Sequence, residues 1–316
     1  MNAIRLSKYS ALLSFSIFLV ACGGGGGGGG STGGGVTITP FTSFGAVQPN
    51  STVSFQGSAT GTNYTSNIGT GFVTSLSGTS TTAYGGSTAQ ETINGSGLVS
   101  SLTITPNIGI STTYTNLTNV TSGGLAGLAV YGNNTSGGVV TNEVLYTLAS
   151  ANGWNYQSYG VWLTGESTGS GTGGAASVGA ITPVSGIPAT GTATFTGNSA
   201  GFYVAATGQP YLATANMTAA TNFGTRAITF NTTNTAISAF NGSGSVSSTG
   251  LNLSGTLNYS AGANTFTGNL ITANTLLSGT ASGQFYGPTA TEIGGTYQVK
   301  AASGLQSMGG AFGGKR

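Results

Sequence analysis

Few side chains in this chain could do covalent or acid–base chemistry. It holds one cysteine, Cys22, four glutamates (Glu91, Glu143, Glu166 and Glu292), and neither histidine nor aspartate. Without them there is no Ser-His-Asp triad, no Cys-His pair and no His-rich metal site. Two glutamates could in principle form the carboxylate pair of a glycosidase. None lies in a setting that suggests it, and Glu91 and Glu143 read as exposed strand or loop charges. The expectation is therefore no enzyme, no cofactor and no metal. Cys22 is different. Its thiol is a nucleophile with no second cysteine to pair with. It follows Leu19-Val20-Ala21, at the end of the uncharged run over residues 9–21 (YSALLSFSIFLVA), behind Arg5 and Lys8.

A basic start and a short apolar core mark a secretory signal peptide. The run is too short for a mature membrane span, which needs roughly 20 apolar residues. The sequence Leu19 to Cys22 resembles a bacterial lipobox. That resemblance implies acylation of the Cys22 thiol with lipid such as palmitate, cleavage before it, and acylation of the new amino terminus. Residues 1–21 then form the signal and 22–35 a lipidated tether. Each buried methylene contributes about 0.8 kcal/mol, so two or three acyl chains hold a protein on a membrane almost permanently. In similar lipoproteins an Asp after the cysteine favours the inner membrane. Gly23 here implies the outer membrane. Residues 23–30 are all glycine, followed by Ser31, Thr32 and three more glycines. Nothing in that stretch can pack, and a coil of this kind reaches about 20 Å on average. It has no preceding strand, no following helix and no lysine, so it is not read as a phosphate-binding loop.

Beyond residue 22 four basic residues (Arg226, Lys300, Lys315, Arg316) balance the four glutamates. Only 3% of the whole chain is charged, against about 25% in an ordinary protein. No basic patch for nucleic acid can be built. The 14 Phe and 13 Tyr are ample for a core despite 58 glycines. No window has helical periodicity, and short alternating segments rich in Thr, Val, Tyr and Phe are bounded by Gly, Asn or Ser. This spacing predicts an all-β fold of sandwiches or barrels. The Gly/Ser/Thr-rich stretch over 164–176 marks a domain boundary. The expected arrangement is a β domain over 36–170, a linker over 171–187, and a barrel over 188–316. In the last part the strands read as 191–197, 201–206, 211–223, 226–232, 251–259, 264–273, 276–286 and 295–301. That set would close an eight-stranded antiparallel barrel.

The chain carries Gly283-Gln284-Phe285-Tyr286-Gly287-Pro288, then Ala290, Glu292 and Gly294-Gly295, with Tyr297 just beyond. This pattern resembles the signature of the C-terminal β-barrel of transferrin-binding protein B and related surface lipoproteins. Residues 310–316, 191–197 and 217–228 are similar to other parts of that barrel. Residues 156–162 resemble the close of the handle-like domain before it. The resemblance implies one handle and one barrel, as in the one-lobe members. In it Gly283, Phe285, Tyr286, Gly287, Pro288, Glu292, Gly294 and Gly295, with Tyr297, shape and close the barrel. It further implies a binding module for a host or environmental protein, or for an iron or haem carrier. A TonB-dependent receptor would receive the cargo, and a surface-lipoprotein translocator would place the module outside. The low charge departs from the family, so its charged receptor contacts do not transfer. Phe202, Tyr203 and Tyr211, near a barrel loop, are the candidate ligand contacts. The alternative is a structural or adhesive envelope lipoprotein with no soluble ligand.

Overall fold

The computed structural model describes residues 44, 47–96, 98–106, 111–119, 127–148, 152–240 and 242–316. Cys22, the signal and the tether lie outside them. All described residues fall in one unit, Val36–Arg316.

Two antiparallel sheets make up this unit. The first is built from β1 (Ser51–Ser66), β2 (Val73–Thr81), β3 (Ser87–Ile93), β4 (Val99–Thr105), β5 (Thr112–Tyr114), β6 (Asn116–Asn119), β7 (Leu128–Ser136), β8 (Val139–Thr147), β9 (Gln157–Thr164) and β10 (Ser170–Gly179). Their order is β5-β4-β3-β1-β10-β9-β8-β7-β6, with β2 on the far half of β1. The two end strands, β5 and β6, are neighbours in sequence, which makes this handle sheet a nearly closed barrel.

The second sheet contains β11 (Thr192–Val204), β12 (Pro210–Asn222), β13 (Ala227–Ser238), β14 (Val246–Ser247), β15 (Leu253–Tyr259), β16 (Phe266–Thr272), β17 (Ser278–Tyr286), β18 (Glu292–Lys300) and β19 (Ser307–Lys315). Eight of these strands close on themselves through the β12–β13 and β11–β19 pairings, with β14 as a spur on β13. The all-β class and the closed eight-stranded barrel expected from the sequence are both present. The strand list differs. Segments 191–197 and 201–206 are one continuous strand, β11, and the closing strand is β19, which the sequence reading did not assign. Its sequence, SMGGAFGGK, has too few side chains to advertise a strand.

Side chains alternate along a strand, and here the alternation feeds three cores. One fills the barrel: Phe195, Phe230, Phe266, Phe285, Ile293, Tyr297 and Phe312 are among its members. Another fills the handle, around Phe55, Leu102, Tyr114, Val144 and Trp162. The third is the seam between handle and barrel, where Tyr64, Tyr159, Val161, Leu163 and Ala175 meet Ala200, Phe202, Val204, Leu212 and Ala311. Strands at the seam are therefore buried on both faces. All eight residues of β9 are buried.

The seam explains the stretch read as a linker. Residues 170–179 are strand β10, buried from Thr172 onward, and not a linker. Its residues are small because two layers press on them. A Cβ on Gly173 would stand 2.3 Å from Phe202 Cδ1, and one on Gly174 would stand 2.5 Å from Trp162 Cζ2. Composition alone gives the same reading for a flexible linker and for a strand squeezed between two sheets. Only residues 180–191 connect the sheets, and even these are held. Thr182 N–H donates to Phe285 O at 2.8 Å and Gly287 N–H to Ala180 O at 2.9 Å.

Candidate binding site

The motif residues sit where barrel meets handle. Phe285 points into the barrel, with the rings of Phe195, Phe223, Tyr259 and Phe266 centred 5.3–6.0 Å from its own. Tyr286, the next residue, points the other way, and its hydroxyl pairs with Ser177 Oγ on β10 at 3.1 Å. Gly287 turns the chain at φ +82° before Pro288, a conformation that only glycine adopts without strain. Gly283 and Gly295 pair across β17 and β18, and a Cβ on Gly294 would come within 3.0 Å of Gln157 Oε1 and Ser177 Oγ. Glu292 is fully buried. Its carboxylate accepts the backbone N–H groups of Asn155 (2.6 Å), Tyr156 (2.9 Å) and Gln157 (3.0 Å). The motif thus ties the barrel to the handle as well as shaping it.

The candidate contacts divide. Phe202 and Tyr203 are adjacent on β11, so their side chains leave on opposite faces: Phe202 enters the seam at 4% exposure and Tyr203 the barrel at 6%. Both are core side chains, of different cores. Tyr203 stacks on its cross-strand partner Tyr211, with centroids 6.1 Å apart, and its hydroxyl accepts from Gln306 Nε2 at 2.9 Å.

Phe202 and Tyr211 do meet at one place. A cleft of about 310 Å³ lies at one end of the seam, walled by Leu163, Phe202, Pro210, Tyr211 and Phe240 and by Glu143 and Glu166. The loops around it are pinned to each other. Glu166 N–H donates to Thr141 O at 3.1 Å, Gly165 N–H to Asn142 Oδ1 at 3.1 Å, and Val73 N–H to Gly208 O at 2.8 Å. Close by, Ile68 on the β1–β2 turn is 69% exposed, and Val139 at the start of β8 is 57% exposed.

The acids correct the sequence reading of Glu91 and Glu143 as exposed. Glu143 is 8% exposed and Glu91 4%. Glu91 is at an alternation position of β3 that faces protein, Glu143 opens a run of β8 buried at every position, and each takes a tyrosine hydroxyl: Tyr131 for Glu143, and Tyr146 for Glu91 at 2.6 Å. Burial pushes the Glu143 carboxyl above its usual range, against the pull of the Tyr131 hydroxyl. Burial, reinforced by Glu143, pushes Glu166 up to about 8. No cation contributes to either shift. The sequence places these two glutamates 23 positions apart, one on strand β8 and one on the β9–β10 turn, and no local pattern announces their convergence.

Residues 187–316 match the family described as the C-lobe and N-lobe beta barrels of Tf-binding protein B. Among solved structures, a tryptophan-to-alanine variant of transferrin binding protein B from Haemophilus parasuis shares 17% identity over 74% of this chain and 52% of that one, with a TM-score of 0.41. Isotype 1 of that protein from serogroup B Neisseria meningitidis shares 17% over 82% of this chain and 43% of its own, with a TM-score of 0.43. A protein described as a surface lipoprotein shares 14% over 82% of this chain and 98% of its own, with a TM-score of 0.43. The chain thus spans about half the length of the first two. No curated protein matches it. The eight-stranded domain at residues 187–316 is a barrel of the transferrin-binding protein B type.

Proposed function

We propose that this chain is a lipid-anchored binding module of the bacterial outer membrane, displayed on the cell surface, that captures a host or environmental protein. An iron or haem carrier is the class of partner the match suggests, with a TonB-dependent receptor taking over the cargo. The observation that carries this reading is the match of residues 187–316 to the transferrin-binding protein B barrel. Proteins with that name bind transferrin. Three features add support. The lipobox-like Leu19 to Cys22 and the glycine run after it suit an anchored, tethered domain. The carboxyl groups are held in structural contacts or in a cleft, with no His or Asp to work beside them. The loop end of the seam offers exposed Ile68 and Val139 beside a cleft, and apolar and aromatic surface of this kind serves protein recognition.

The test uses the intact acylated protein in outer-membrane vesicles. Immobilised vesicles are exposed to purified transferrin, haemoglobin and haem carriers, and to serum and culture medium. Saturable capture of a carrier supports the reading. Capture of none of them, together with attachment of the vesicles to surfaces or to each other, favours the adhesive alternative.

A further inference from the structure

Beyond Cys22 the chain has four basic residues, and the fold brings three of them to one end of the barrel. Arg226 lies on the turn between β12 and β13, and Lys315 and Arg316 end β19. The register fixes the end. Lys315 pairs with Thr196 in the first half of β11 and with Glu292 at the start of β18, while Asn222, beside the Arg226 turn, pairs with Thr192 at the start of β11. All three cations are exposed. Glu292 is the acid at this end among the described residues, and it is fully buried with its carboxylate held by three backbone N–H groups. A terminal carboxylate on Arg316 would offset one cation and leave the end positive. Lys300 closes the opposite end, where it pairs with Ser307, the partner of Val204, and where the cleft with Glu143 and Glu166 opens. A sequence balanced in charge thus folds into a molecule with a basic end.

The chain from Cys22 reaches the fold at this same end. Phe44 N–H donates to Asn155 O at 2.7 Å, and two residues away Lys315 Nζ donates to Gly153 O at 2.7 Å. Beside Lys315 and Arg316 a second cleft, of about 370 Å³, is walled by Asn152, Trp154, Thr196 and Asn198. We propose that the basic end is a docking surface for the membrane that carries the protein. Arg226, Lys315 and Arg316 meet the phosphates of anionic lipid headgroups, and the domain stands with the Glu143–Glu166 cleft turned away from the bilayer. The proposal rests on the reading of Cys22 as a lipid anchor. Three cations alone are a weak hold, and they fall short of the phosphate contacts of a nucleic-acid site. An anchored domain is already confined to the surface, so the cations need only select its orientation. Each Lys or Arg at an anionic surface strengthens attachment about fivefold, so three favour this orientation by about a hundredfold. The opposite orientation would bring Lys300 alone to the phosphates, with Glu143 and Glu166 beside it.

Fluorescence energy transfer from the acylated full-length protein to a headgroup-labelled lipid tests this. With Cys22 acylated, an introduced cysteine is the free thiol that takes the donor dye. Val139→Cys marks the far end and Thr225→Cys the basic end, both at exposed positions. The vesicles are phosphatidylcholine alone, or phosphatidylcholine mixed with phosphatidylglycerol. On the anionic vesicles transfer from residue 139 is expected to fall about twofold and transfer from residue 225 to rise. Half-molar sodium chloride should erase both changes, because it shortens the screening length to about 4 Å. A variant combining Arg226→Asn, Lys315→Gln and Arg316→Gln should give the same transfer on both kinds of vesicle. Lys315 and Arg316 also hold Gly153 O and Thr289 O, so Arg226→Asn alone, on an exposed turn at a φ of +59° that Asn tolerates, is the second variant and should weaken the response. Lys300→Gln, at the opposite end, should respond as the wild type does. Equal transfer on neutral and anionic vesicles, a full response in the triple variant, or a response lost in Lys300→Gln overturns the proposal. Wild-type protein that stays off both kinds of vesicle removes the anchor and the docking surface together. Anchored protein without a preferred orientation removes the docking surface alone.

Discussion

The Glu292 carboxylate on barrel strand β18 accepts the backbone N–H of Gln157 on handle strand β9 at 3.0 Å. The same carboxylate takes Asn155 and Tyr156, so one side chain satisfies three donors of the other sheet. Burial pushes its pKa up, while the three N–H groups and Lys315 pull it down. Glu292→Gln keeps the shape but turns an amide N–H toward backbone N–H groups. The variant is expected to lose about 2 kcal/mol of stability, read from urea denaturation. A variant as stable as the wild type would mean that the latch contributes nothing.

Acid rather than alkali should stabilise this protein. Burial pushes the Glu91 carboxyl from 4.5 to about 7, with the Tyr146 hydroxyl acting in the opposite direction. The fold therefore prefers the neutral acid. Its contribution is fully present below the unfolded value of 4.5 and is lost as pH rises through about 7. At about 1.4 kcal/mol per unit the loss is on the order of 3 kcal/mol. Glu143 and Glu166 are shifted in the same direction. Urea midpoints at pH 5 should exceed those at pH 8.5, and Glu91→Gln should shrink the difference. A midpoint that rises with pH contradicts this account.

Gly173→Val tests the seam. Its Cβ would stand 2.3 Å from the Phe202 ring, and overpacking of this kind costs about 1–3 kcal/mol. Gly224→Ala, on an exposed turn with only Asn222 Oδ1 at 3.4 Å, is the control and should be close to neutral in a thermal melt. Equal melting temperatures for the two variants would show that the sheets have room to part.

Limited proteolysis should spare residues 164–176, because most of that stretch lies in β9 and β10. A fragment beginning at residue 180 should lose stability and bind a hydrophobic dye, since it bares Ala200, Phe202, Val204, Leu212 and Ala311. Deleting residues 307–316 removes β19, which pairs with both β18 and β11, and leaves two open edges prone to pairing with other chains. Circular dichroism and size exclusion should report loss of the folded monomer. A truncated chain that melts like the full one would remove β19 from the closing role.

The anchor is tested by Cys22→Ser, which should abolish incorporation of labelled palmitate and move the protein out of the membrane fraction. Equal labelling of both forms would refute acylation at Cys22.

The sequence by itself determined the all-β class, because Thr, Val, Tyr and Phe alternate between Gly and Asn breaks and no helical period competes. It also located the barrel, through the pattern from Gly283 to Tyr297. Alternation, however, states only which residues share a face; it does not state what covers that face. In β10 and β19 both faces are covered, so glycine and alanine replace the large apolar residues that usually betray a strand. The same residues then look like linker and tail. Glu143 and Glu166 likewise looked unrelated, and nothing in the sequence separated the faces that Phe202 and Tyr203 enter. Which charges converge, and which aromatic rings are sealed away, was decided only when two sheets closed and docked, because burial arises between elements distant in the chain.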